Sequence, residues 1–121
     1  MKNMREIKLR MWSAQAKEFF YDADNVYDCL LQSKNPATAK YYTDMIWQQF
    51  TGLKDNNGVE IYEGDLLEFA YKDDGVKFVG EVQYFYEFAC FGVVIEKAFE
   101  TFQDLIEYNQ YFNVVGNIFE L

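Results

Sequence analysis

Apolar and polar residues alternate along much of this chain, which is the pattern of β-strands with one buried face. Between residues 6 and 12, Ile7, Leu9 and Met11 fall on one face, and three charged side chains fall on the other. Trp12 lies on the charged face, where it either packs within the domain or anchors another chain. The pattern predicts a half-buried first strand.

Further strands follow from the same pattern. Residues 13–17 read as a turn and residues 18–21 as the second strand of an N-terminal hairpin. Later strands are predicted at 66–71, 76–85, 91–95 and 112–119. Residues 91–95 are almost uniformly apolar, which indicates a central strand buried on both faces.

A few short segments carry helical rather than strand spacing. Residues 24–33 place their large apolar side chains on one helical face, although so short a window also fits a strand. Residues 37–44 read as a surface loop or one turn of helix. Thr101 to Asp104 resembles a capping box and predicts a helix of about two turns.

Two turn signals organise the middle of the chain. Asn57-Gly58 predicts a type I′ hairpin turn, because both central residues of that turn need positive φ. Gly64-Asp65 predicts a tight corner, after which a new strand begins at Leu66.

The same stretch, FTGLKDNNGVEIYEGDLLEF at residues 50–69, resembles the signature of the YopX-like family of phage and prophage proteins. The opening MREIKLRMW at 4–12 and the closing VVGNIF at 114–119 resemble the ends of that family's sequences. The resemblance implies an SH3-type β-barrel core with an added N-terminal part, and it implies no assigned activity.

Pattern and resemblance together predict a mainly β fold with one or two short helices. We expect a single YopX-like domain over residues 1–121. Its N-terminal β-hairpin extension and connecting segment would occupy residues 1–49, and a small SH3-type barrel would occupy residues 50–121.

Charge is distributed unevenly along the sequence. The chain has 11 Lys and Arg against 20 Asp and Glu, a net charge of −9. Residues 55–121 carry three lysines against fourteen acids, whereas residues 1–17 carry five basic groups against one acid. The contrast favours docking of the basic N-terminal strand on the acidic body, in the same molecule or in a neighbouring copy, and a solvated acidic surface explains it equally well.

Composition also bounds the chemistry. The chain has no histidine, which excludes Ser-His and Cys-His nucleophiles, and it has no nucleotide-binding glycine motif. Cys29 and Cys90 lack ligand spacing and read as free thiols. The acids between residues 60 and 68 read as structural, and the glycine of Asp55 to Gly58 is misplaced for an EF-hand loop. We therefore predict no catalytic residue, cofactor or metal.

Binding is the remaining role. The chain has twelve Phe and ten Tyr, residue types that are common in β-strands. So many aromatic side chains would leave some exposed on the surface, where a partner can bind them. Aromatic residues near position 85 could stack bases, but the acidic barrel would repel phosphates, so direct nucleic-acid binding is not expected. With no apolar run of membrane-spanning length and no signal peptide, we expect the cytoplasm of a bacterial host.

The function predicted is that of a non-catalytic phage or prophage accessory protein, a protein-binding or self-associating module with an acidic surface. Its partner would be a basic host or phage protein, or a second copy of the chain. The alternative is a small metal-dependent enzyme that uses the carboxylates of Glu63 and Asp65. The candidate interaction surface comprises Trp12, Tyr62, Glu63, Asp65, Tyr84 and Tyr86.

Overall fold

The computed structural model describes residues 7–21, 28, 31–32, 34–41, 45–71, 76–95 and 98–120. In these ranges the strands are Leu9–Ser13 (β1), Glu18–Phe20 (β2), Met45–Lys54 (β3), Glu60–Tyr62 (β4), Asp65–Tyr71 (β5), Lys77–Phe85 (β6), Cys90–Ile95 (β7), Ala98–Thr101 (β8) and Asn109–Asn117 (β9). The same ranges contain the α-helix Phe102–Tyr108 (α1) and the 3₁₀ turn Ala39–Tyr41, and residues 28, 31, 32 and 34 are also helical. The mainly β prediction is confirmed.

The chain divides into two compact units, residues 1–50 and residues 51–121. In the first unit β1 pairs with both β2 and β3 in antiparallel fashion. The turn between β1 and β2 is closed by Lys17 N, which donates to Ser13 O at 2.7 Å, and Lys17 itself has a φ of 56°. The predicted N-terminal hairpin is confirmed.

Burial along β1 differs from the half-buried pattern predicted for it. Ile7, placed on the apolar face, is 64% exposed, whereas Arg10 on the charged face is only 3% exposed. On the charged face, Arg10 contacts side chains of both paired strands, β2 and β3. Arg10 Nε donates to Gln48 Oε1 at 2.9 Å, and its guanidinium carbon lies 4.0 Å from the ring centroid of Phe19. The prediction was therefore wrong for β1, which is covered on both faces from Arg10 onwards.

In the second unit five antiparallel strands form a half-barrel sheet in the order β8-β7-β6-β5-β9. Cross-strand neighbours share a face, and one face carries the core. Its fully buried side chains are Ile61, Leu67, Phe69, Val82 and Val93. Within β7, Phe91 to Val93 is buried as predicted, and Val94 and Ile95 are half-buried.

The loop between β3 and β4 is a hairpin turn, but not of type I′. Asp55 N donates to Val59 O at 2.8 Å and Gly58 N donates to Asp55 O at 3.0 Å, which defines a loop of three residues. Gly58 has a φ of 82°, and Asn57 is not among the residues with positive φ. Asp55 Oδ1 accepts hydrogen bonds from Asn57 N and Val59 N, both at 2.8 Å, and so favours the longer loop with a left-handed glycine.

The corner at Gly64-Asp65 is confirmed. Gly64 has a φ of 83°, a conformation in which a side chain would be strained. Its N–H donates to Val82 O at 2.8 Å, and its carbonyl accepts from Ile118 N at 2.9 Å. Asp65 Oδ2 accepts from Tyr62 N at 2.8 Å. The corner thereby connects β4 and β5 to β6 and to the end of β9.

The predicted short helix after β8 is also confirmed, as α1. Thr101 Oγ accepts a hydrogen bond from Asp104 N at 3.3 Å, which is the N-cap half of the predicted capping box. For residues 37–44, predicted as a surface loop or one turn of helix, the structure has the 3₁₀ turn Ala39–Tyr41. Most of residues 24–33 lies outside the described residues, and the described ones are helical.

Candidate functional site

Trp12 belongs to the interior of the N-terminal hairpin. It is 6% exposed and faces Phe19 across the β1–β2 pair. The two ring centroids are 4.9 Å apart in an edge-to-face arrangement. Of the two roles considered for Trp12, packing within the hairpin is the one that the geometry supports.

Tyr62, Glu63 and Asp65 surround the corner between β4 and β5. Tyr62 and Asp65 are buried, and Glu63 is half-buried. The Asp65 carboxylate accepts the backbone N–H of Tyr62, so it stabilises the corner. Buried side chains do not form a docking surface, which removes Tyr62 and Asp65 from the candidate surface.

Metal binding is the alternative role considered for the carboxylates of Glu63 and Asp65. Across the described residues, no group of three or more Asp, Glu, Cys or His side chains is arranged to hold a metal ion. The thiol of Cys90 is free and half-buried, and Cys29 lies outside the described residues.

Tyr84 and Tyr86 lie together near the tip of the β6–β7 hairpin. Tyr84 faces Phe91 across the two strands, with ring centroids 5.0 Å apart. Tyr86, in the turn, is 87% exposed and lies 5.2 Å from Tyr84, edge to face. The structure therefore brings together two of the predicted surface residues.

Three phenylalanines occupy the opposite face of the same hairpin. The ring of Phe99 in β8 lies 4.8 Å from that of Phe85 and 5.5 Å from that of Phe88. Phe88 is 57% exposed and Phe99 is 47% exposed. We call residues 84–91 together with Phe99 the aromatic hairpin.

Alternation along β6 explains the two aromatic faces. Because successive strand residues point to opposite sides, Tyr84 joins the core face of the sheet and Phe85 joins the outer face. The turn that follows is closed by Phe88 N, which donates to Phe85 O at 3.2 Å, and by Ala89 with a φ of 51°. The tip therefore carries aromatic rings on both faces.

Gly92 makes room for the outer face. A Cβ atom at this position would collide with Phe85 Cε2 and with Glu100 O. Since Gly92 lies opposite Gln83 in β6 and opposite Thr101 in β8, the ring of Phe85 rests directly on the backbone between these strands. Phe85 is half-buried there, and the more exposed ring of Phe99 packs against it.

Among the described residues of the β6–β7 hairpin tip and β8, the charged side chains are those of Glu87 and Glu100. Glu87 is exposed in the turn, and Glu100 in β8 is half-buried. Lys77 stands at the other end of β6, about 26 Å from Phe85 at the usual rise per strand residue. Its ammonium lies 3.8 Å from a carboxylate oxygen of Glu68. Exposed rings beside carboxylates can bind cationic side chains through cation–π and ionic contacts.

Phe99 is the residue of this surface that the sequence interpretation missed. Its strand, β8, has only four residues and was not predicted. The alternation of Ala98, Phe99, Glu100 and Thr101 was the available signal, but its place beside β7 depends on tertiary pairing.

No helix in the described residues has the length and hydrophobicity to cross a membrane. A comparison with curated proteins gives no match.

Among solved structures, the chain is similar to the crystal structure of protein EF1440 from Enterococcus faecalis. The TM-score is 0.62 at 26% sequence identity, and the match covers 97% of this chain and 96% of that one.

The family comparison agrees with the resemblance seen in residues 4–12, 50–69 and 114–119. The family model described as YopX protein matches residues 5–121, which is nearly the whole chain. The chain belongs to the YopX family.

Proposed function

We propose that this chain is a non-catalytic module that binds another protein through the aromatic hairpin. The observation that carries the proposal is the exposure of Tyr86 and Phe88, at 87% and 57%, on a hairpin tip that already contains four other aromatic rings. Large aromatic side chains that protrude from a rigid scaffold are typical anchors of protein interfaces.

Burial of Tyr86 and Phe88 in an interface would contribute substantially to the free energy of binding. Burying an exposed aromatic side chain contributes roughly 1.5–3 kcal/mol, so Tyr86 and Phe88 together offer about 3–6 kcal/mol of gross stabilisation to a complex. The supporting rings of Tyr84 and Phe85 are partly buried by contacts within the hairpin. Little conformational entropy remains to be lost from them on binding, which favours affinity.

The charge of the chain indicates the kind of partner. A net charge of −9, concentrated in residues 55–121, favours association with a basic protein and opposes close approach of a second copy. The resemblance to phage and prophage proteins supports an accessory role inside a bacterial host cell, with a host or phage protein as the partner.

A capture experiment tests this function. The immobilised chain is exposed to lysate of a phage-carrying bacterium, and retained proteins are identified by mass spectrometry. The double variant Tyr86→Ser/Phe88→Ser is compared with Val115→Ser, which alters a similarly exposed apolar residue on β9. We expect a basic protein to be retained by the native chain and by Val115→Ser but lost from the double variant.

Equal retention by the double variant would refute the role of the aromatic hairpin. Light scattering over a range of protein concentrations, run in parallel, distinguishes a second copy as the partner. A mass that doubles with concentration in the native chain, and not in the double variant, would replace the basic partner by self-association.

A further inference from the structure

We infer that β8 is the strand to which the partner is added, and that the occupant is an extended segment bearing lysine or arginine side chains, laid beside Phe99 and the tip of the aromatic hairpin. This inference rests on the proposed function and specifies the partner's chemistry and its mode of binding.

The two edges of the five-stranded sheet differ in a way that singles out β8. At the β9 edge, Phe112 O accepts from Asn56 N at 3.2 Å and Phe112 N donates to Asn56 Oδ1 at 3.0 Å. Val114 N donates to Asp55 Oδ2 at 2.9 Å. At Phe112 and Val114, the middle of the β9 edge is therefore already hydrogen-bonded to the β3–β4 loop.

At the opposite edge, β8 is the outermost strand in the described part of the chain, and its strand partner is β7. A strand at the edge of a sheet presents a row of backbone N–H and C=O groups that can pair with another extended segment. An added strand would therefore pair with the backbone of β8 rather than with that of β9.

Side chains next to β8 suit a cationic segment. Phe99 lies in β8 itself, and the exposed ring of Phe88 is 5.5 Å from it on the outer face of the sheet. A segment added to β8 would lay every second side chain beside these rings, where a guanidinium or ammonium group is stabilised by the ring face.

The acidic side chains near β8 also favour a cationic segment. Glu100 follows Phe99 in β8 and therefore points to the opposite face, so a basic side chain there meets a carboxylate. Glu87 is exposed in the adjoining turn. A second copy of β8 would instead bring its own Glu100 close to this one, and like charges across paired strands are destabilising.

The test uses a defined probe: a fluorescein-labelled octapeptide of alternating arginine and valine, titrated with the full chain at low and physiological salt. Three comparisons are made by fluorescence anisotropy. One replaces arginine by glutamate in the peptide, one uses the same peptide fully N-methylated so that it cannot pair as a strand, and one uses variants of the chain. Hydrogen exchange then reports whether the amides of residues 98–101 become protected.

We expect the arginine peptide to bind, to weaken as salt rises, and to protect the β8 amides. N-methylation of the peptide and the substitution Phe88→Ser should each weaken binding about tenfold, the size expected for loss of one interface anchor. Glu100→Gln should weaken it several-fold. The matched controls Val115→Ser and Glu120→Gln should bind like the native chain, because both positions lie outside the β8 edge.

Equal binding of the N-methylated peptide, or absence of protection in residues 98–101, would overturn strand addition. Equal binding of the glutamate peptide would overturn the cationic occupant. If the lysate partner is still lost from Tyr86→Ser/Phe88→Ser while the arginine peptide fails to bind, the further inference is wrong and the proposed function stands. If the double variant retains the lysate partner as well as the native chain does, the proposed function itself fails.

Discussion

The Asp55 carboxylate accepts three backbone hydrogen bonds, so its removal makes a sharp test. Its oxygens accept backbone hydrogen bonds from Asn57 and Val59 at 2.8 Å and from Val114 at 2.9 Å. The side chain is 7% exposed, so water replaces these bonds poorly when the carboxylate is lost. Asp55 holds the β3–β4 loop in shape and fastens it to β9.

The magnitude follows from these contacts. A hydrogen bond to a charged group contributes about 1.5–3 kcal/mol, and the lower value applies here because the loop is partly exposed. Asp55→Ala removes three such bonds and should lower the free energy of unfolding by about 4–5 kcal/mol. Asp55→Asn keeps one acceptor oxygen but places an NH₂ group opposite a backbone N–H. It should lower the free energy of unfolding by about 2 kcal/mol.

Urea unfolding followed by tryptophan fluorescence and far-UV circular dichroism measures the effect, with Asp28→Asn as the control at an exposed position. We expect an unchanged slope with urea and a lower midpoint, in the order native, Asp55→Asn, Asp55→Ala. At roughly 4 °C per kcal/mol, Asp55→Ala should also melt about 16–20 °C lower. If both variants stay within about 0.5 kcal/mol of the native chain, as surface substitutions do, the carboxylate does not support the fold as described.

Three further predictions concern other contacts. Gly92→Ala should destabilise the chain by about 2–3 kcal/mol in thermal unfolding, because its Cβ would meet backbone and ring atoms, whereas Gly116→Ala, with its nearest neighbour at 3.8 Å, should cost less than about 1 kcal/mol. A similar loss in both glycine variants would contradict the packing. Arg10→Lys should cost about 1–2 kcal/mol in urea unfolding, since a lysine cannot reproduce the Nε bond to Gln48, and native stability in this variant would show that the bond is dispensable. Phe88→Ser should leave the melting temperature within about 2 °C of native, because its ring is exposed, and a larger drop would assign Phe88 to the core rather than to the binding surface.

Local signals in the sequence predicted much of the architecture. Alternating strands, the corner at Gly64 and the capping residue Thr101 all appear in the fold. The turn type at Asn57-Gly58 was wrong because the rule considers only the two central residues. The Asp55 side chain, two residues earlier, decides the loop length through its bonds to Asn57 and Val59.

Tertiary contacts account for the remaining differences. The alternating pattern predicted that Arg10 faces solvent, but the ring of Phe19 in the paired strand covers its guanidinium group. A local sequence pattern does not show which strands pair. The same limit affected the candidate surface. Tyr62 is buried while Tyr86 is exposed, and the two tyrosines differ through their tertiary surroundings rather than through their immediate neighbours in the sequence.

The position of β9 beside β5 has a consequence for how the polypeptide matures. During translation β5, β6 and β7 emerge before β9, so for a time β5 can pair on one side only. Over the same interval the carboxylate of Asp55 lacks the Val114 amide that it accepts in the finished molecule. This unit therefore closes only after β9 has emerged. A chain whose translation stalls ahead of residue 109 would hold a half-assembled sheet, and its open edge would favour aggregation or chaperone binding.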